Sequence, residues 1–168
     1  MVESFVAQMS EWLAGTFSGD LIAFIISLFP ILELRGGLIA ASLLGVPLGR
    51  AFLLCYIANI LPIPFILFCI KHFINWCKKT KLFGRLANWL ERKTEKNKEK
   101  VAKYQVWGLL LFVAIPLPGT GAWTGALIAA MMDMPIKKSF PIIALGVLIA
   151  GIIMSAISYG LPALLNVV

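Results

Sequence analysis

Charge is scarce in this sequence: 14% of its 168 residues are Asp, Glu, Lys or Arg, while 60% are hydrophobic and the mean hydropathy is +0.92. A soluble domain is about half apolar and about a quarter charged, so the shortage excludes an ordinary soluble fold and leaves one integral membrane domain. Histidine is nearly missing as well. His72 stands alone, so no metal site of the usual zinc type is expected, and the residue reads as an interfacial side chain at a helix end. Cys55, Cys69 and Cys77 lie in or beside apolar stretches without C-x-x-C spacing; they read as small buried hydrophobes rather than disulfides or ligands. No paired His, Ser-Lys couple or metal-ligand cluster occurs near the apolar stretches, so neither an enzyme nor a cofactor is expected. The first twenty residues carry only Glu3, Glu11 and Asp20 as charges, and without a basic region they do not read as a secretory signal.

What charge there is lies in one place. Ten of the fifteen Lys and Arg residues fall between Lys78 and Lys103, between long apolar runs, where a basic block faces the cytoplasm and its anionic lipid headgroups rather than nucleic acid. Within that block Leu82, Phe83, Leu86, Trp89 and Leu90 form an apolar stripe able to rest on the bilayer. Glu91 to Lys103 reads as a solvated charged helix. At the N-terminus Val2, Phe5, Val6, Met9, Trp12 and Leu13 recur at helical spacing, which predicts a helix over 1–19 lying in the membrane interface.

Four apolar blocks follow the N-terminal segment: Leu21 to Val46, Ala51 to Ile70, Tyr104 to Met132 and Ser139 to Val168. A single crossing takes roughly 20 residues. The first and third are too long for that and carry helix breakers in the middle: Pro30 with Gly36 and Gly37, and Pro116, Pro118, Gly119 and Gly121. Shifting the sequence by 88 positions places Pro30, Gly37, Ala41, Pro47 and Phe52 on Pro118, Gly125, Ala129, Pro135 and Phe140, with Arg50 on Lys138. The chain therefore reads as two related halves, 20–77 and 104–168, joined by the linker 78–103. Broken hydrophobic segments in corresponding positions of two halves point to a transporter-type site, because backbone freed by Pro and Gly must line protein or a watery cavity.

Charge also selects the topology. If both broken blocks crossed fully, Lys137 and Lys138 would lie outside and the acidic N-terminus inside, against the positive-inside rule twice. If both are re-entrant hairpins, the linker, Lys137 and Lys138 all lie inside and only Arg50 lies outside. The expected fold is thus all-α and integral to the membrane: two inverted repeats, each a re-entrant hairpin plus a transmembrane helix. Both termini are then external, and the hairpin tips meet near the midplane.

The candidate site is the pair of breaks. In the first, Glu33, Arg35, Gly36 and Gly37 place an acid and an arginine where charges are costly, about 2.5 to 3.5 kcal/mol on insertion scales, and such residues usually face a cavity. A partly buried carboxyl is the candidate proton carrier, and the planar guanidinium the candidate for an anionic headgroup. The alternative is a structural Glu33–Arg35 ion pair. In the second break, Pro118, Gly119, Thr120, Gly121, Trp123 and Thr124 offer close backbone approach, amides and hydroxyls to an anion at a helix N-terminus. Asn59, Pro62 and Pro64 predict a kink in the first full crossing, with Asn59 as a helix-packing hydrogen bond.

On its E-L-R-G-G segment, its P-L-P-G-T-G-A-W-T-G segment and the basic linker between them, the sequence resembles the small multidrug export proteins of the wider DedA, or SNARE-associated, membrane superfamily. That resemblance implies opposed re-entrant hairpins with an embedded acid and arginine, and relatives in proton-linked transport or in flipping polyprenyl-phosphate carriers. Glu33 matches the hairpin acid and Arg35 is the nearest arginine. The chain departs from typical DedA members in being shorter and in lacking an arginine in its second hairpin tip. The expected function is a transporter or flippase, with proton coupling a candidate feature, for a small or lipid-linked anionic or amphiphilic solute. The alternatives are a small-molecule multidrug exporter and a non-transporting scaffold. The expected setting is the cytoplasmic membrane of a prokaryote, with membrane lipids and the solute as partners; a homodimer completing the cavity is compatible with so few elements. A single cysteine at Glu95 should be labelled only from the cytoplasm and one at Glu3 only from outside; labelling of both from one side removes the odd number of crossings.

Overall fold

The computed structural model describes residues 17–78, 98–117 and 119–160, with the side chains of 71, 73–78 and 98–103 outside the description. The expected interfacial helix up to residue 16, the linker stretch 79–97 and Pro118 lie outside the described residues. Within them the chain is helical: α1 (Gly19–Leu28), α2 (Glu33–Leu43), α3 (Leu48–Ile60), α4 (Ile63–Lys78), α5 (Lys98–Ala114), α6 (Ala122–Met131) and α7 (Ile136–Ser155), the last running into a wider π-type turn, Ala156–Gly160.

Proline sets most of these boundaries. Phe29, before Pro30, is extended (φ −73°, ψ 135°) and ends α1, as the residue before a proline is pushed out of the helical region. Helix α5 stops at Ala114, two residues short of Pro116, and the bend at Leu61 and Pro62 separates α3 from α4, where the kink was expected. Helix α2 closes with Gly45 at φ +69° and paired bonds, Gly45 N–H to Ser42 O and Val46 N–H to Ala41 O. This is a Schellman ending, in which a left-handed residue lets the chain satisfy the last carbonyls. Helix α6 ends the same way at Asp133 (φ +55°), with Asp133 N–H to Ala130 O and Met134 N–H to Ala129 O. Pro47 and Pro135 then cap α3 and α7. The local backbone of 33–48 thus recurs at 121–136 with the 88-residue offset.

Gly36 and Gly37 were expected among the breakers; instead both lie inside α2, and the break falls at 29–32. Their role is close packing. A Cβ on Gly37 would run into Ser27 Oγ and the Ala23 carbonyl of α1, and one on Gly125 of α6 would meet Val113 of α5. Ala23, Ala40, Ala41, Ala51, Ala58, Ala126 and Ala129 are also buried. Small residues at helix contacts, with Leu53, Ile57, Phe65, Phe68, Leu111, Leu145 and Ile152 turned outward, are the arrangement expected when lipid is the solvent.

Among the described residues two helical paths are long and apolar enough to span a bilayer, Leu48–Ile70 and Ile136–Gly160. Helices α1, α6 and the apolar part of α5 (Tyr104–Ala114) have only 10 or 11 residues, about 15 Å against a hydrocarbon core of about 30 Å. Helix α1 packs on α2 and α3, α5 on α7, α4 on α6, and α3 and α6 on α7, which brings the two breaks together. Gly37→Val should lower stability in detergent by about 1 to 3 kcal/mol through overpacking. Gly49→Ala, where a Cβ meets nothing within 4 Å, should leave the melting temperature unchanged or raised.

Candidate functional site

The two ends of a broken helix are opposite in sign. An N-terminus exposes amides and a partial positive charge, a C-terminus carbonyls and a partial negative one. Helix α6 begins at the second break, and its first two amides, Ala122 N–H and Trp123 N–H, donate to Glu33 Oε2 and Oε1, each at 3.1 Å. Glu33 is 5% exposed. Helix α5 ends at the same break, and there Arg35 donates to the carbonyls of Leu117 and, at 3.3 Å, Ile115, and to Thr120 Oγ1 at 2.9 Å. The Thr120 hydroxyl lies 2.8 Å from both of those carbonyls and accepts from Leu117 N–H at 3.2 Å. Glu33 and Arg35 therefore each hold backbone of the other half, while Arg50 forms an ion pair with Asp20 at 3.2 Å.

Backbone geometry is adapted to this contact. Gly121, the residue before α6, has φ +144° and ψ −168°, a region open to glycine alone, and a Cβ there would collide with the Glu33 carboxylate. Glu33 occupies the 88-shifted equivalent position and also has positive φ, +51°. A left-handed non-glycine residue costs about 1 to 3 kcal/mol and persists where its surroundings hold it; here two charge-assisted amide bonds do so.

The chain matches over residues 33–153 the family model described as "Putative small multi-drug export protein". It belongs to that family. The matched range starts at Glu33, directly after the first break, and covers the second. Neither a search of curated proteins nor one of solved structures gives a match. The family and the two apolar spans both point to the membrane.

Of the residues expected at the site, the export-family fold brings Glu33, Arg35, Thr120, Gly121 and the Trp123 amide together. Gly119 (φ +83°) has open space around it. Gly36 and Gly37 serve packing, and Pro62 lies in the bend. Asn59, expected to bond a neighbouring helix, borders Glu33 of α2 and has a side-chain hydrogen-bonding contact with its carboxyl, while its Oδ1 is buried without a partner. Trp123 and Thr124 also line an open groove of about 420 Å³ with Pro30, Phe65, Ile66, Cys69, Ile70 and Leu127, and the Trp123 ring N–H is buried without a partner. Of the groove residues, sequence reasoning singled out Trp123 and Thr124 as site candidates and missed Phe65, Ile66, Cys69, Ile70 and Leu127. It left the anion at the α6 N-terminus unidentified; that anion is the protein's own Glu33.

Because Glu33 and Arg35 satisfy different backbone groups, Glu33→Ala and Arg35→Ala should each destabilise the protein by about 1 to 3 kcal/mol. The double variant should melt below either single one. A double variant that regains wild-type stability would restore the ion-pair account.

Proposed function

We propose that this protein is a DedA-like carrier that moves a small amphiphilic solute out through the membrane, with the Glu33–α6 contact as a proton-sensitive closure between two inverted halves. The observation that carries the reading is Trp123: its amide is bonded to Glu33 and the same residue lines the groove, so one residue couples groove occupancy to the contact between halves. The short helices α1, α2 and α6 and the short apolar part of α5 suit two re-entrant hairpins. Arg50, alone on the outer side in that topology, is paired with Asp20. Protonation of Glu33 would remove the charge that holds the α6 amides and loosen the closure.

The groove supports an apolar or amphiphilic solute over an anionic one, since its lining is almost wholly apolar and the Arg35 guanidinium is already engaged by carbonyls. The family's description as multi-drug exporters agrees with that class. A lipid-linked solute is the second reading, favoured by the openness of the groove, which suits an acyl or prenyl chain.

In proteoliposomes with an imposed pH gradient, the wild type should move a fluorescent amphiphilic cation, and Glu33→Gln should abolish the pH dependence while the protein stays folded. Leu127→Trp, which fills the groove, should cut flux by about tenfold, equivalent to about 1.4 kcal/mol. Flux of a prenyl-phosphate probe alone would favour the flippase reading. Vesicles inert to both would favour a scaffold.

A further inference from the structure

A buried polar group beside the Glu33 carboxylate is left without a partner. Asn59 of α3 is 2% exposed, and its Oδ1 has no hydrogen-bond partner. Buried acceptors are nearly always paired, so an exception calls for a physical reason. Asn59 and Glu33 share a small void of about 10 Å³, lined also by Arg35, Val113, Gly121 and Val147, about the space of one water molecule.

An ionised Glu33 has only acceptors to offer; it takes the Ala122 and Trp123 amides and keeps lone pairs for the NH2 of the Asn59 side chain beside it. It gives Asn59 Oδ1 nothing to accept. A protonated Glu33 carries an O–H donor, which none of those amides can receive. We infer that Asn59 is a positioning residue for Glu33, its Oδ1 accepting the O–H of the protonated carboxyl and holding that form away from the α6 N-terminus. The step is a plain acid–base transfer: a hydronium ion gives its proton to a carboxylate oxygen and leaves as water. Arg35 is the one charged group facing Glu33 in this void; α3, α5, α6 and α7 contribute Asn59, Val113, Ala122, Val147 and Ala150, none of which titrates. The inference rests on the proton-linked reading above.

Infrared difference spectra of the purified full chain between neutral and acid pH test it, with Glu33→Gln assigning the Glu33 carboxylic C=O band. Asn59→Leu, similar in size and free of the unpaired oxygen, should move that band to higher wavenumber, as expected for a carboxyl that has lost its hydrogen-bond acceptor. Asn59→Thr, which restores an acceptor, should bring it back. If leucine does not fit, Asn59→Ala gives the same reading. A band at the wild-type position in the leucine or alanine variant overturns the role of Asn59 while leaving proton binding intact. A wild-type spectrum indistinguishable from that of Glu33→Gln overturns proton binding, and this inference with it.

Discussion

A helix that stops partway across a bilayer leaves amides at one end and carbonyls at the other with no water to bond. In this chain α5 stops and α6 starts inside the fold, and two side chains of α2 answer both ends. The signs match the helix dipoles: a carboxylate at the start of α6, a guanidinium at the end of α5. The charges of the first half are thus the terminal caps of the second. The residue that supplies the carboxylate accepts a left-handed backbone to do so.

That arrangement depends on how closely the helices approach. Gly121 admits the carboxylate, Gly37 lets α2 lie against α1, and Gly125 lets α6 lie against α5. Away from Glu33 and Arg35 the halves meet through a few polar contacts: Ser42 Oγ to Ser158 O at 2.7 Å, Tyr159 OH to Val46 O at 2.9 Å and Tyr56 OH to Ala144 O at 3.2 Å. Where water cannot drive helices together, close packing and such bonds do the holding. Glu33 lies beside the unpaired Asn59 amide oxygen, and Trp123, whose amide it holds, lines the groove.

The sequence by itself determined the membrane class, the positions of the breaks and the 88-residue recurrence. Those follow from composition and from the steric rules of proline, which act within a few residues. The same rules misassigned Gly36 and Gly37, because glycine serves equally in a break and in a close helix crossing, and only the neighbouring helix distinguishes the two. Glu33 and Arg35 were legible as site residues from the cost of placing charge in an apolar block. Their partners were not, because Ala122 and Trp123 act through amides, and Ile115 and Leu117 through carbonyls, that every residue type but proline's amide shares. The groove and the void at Asn59 were hidden for the same reason: each is space enclosed by segments far apart in the chain. Tertiary structure alone decided that the first break's charges belong to the second break's backbone, since that match requires the two ends to be brought within hydrogen-bonding distance.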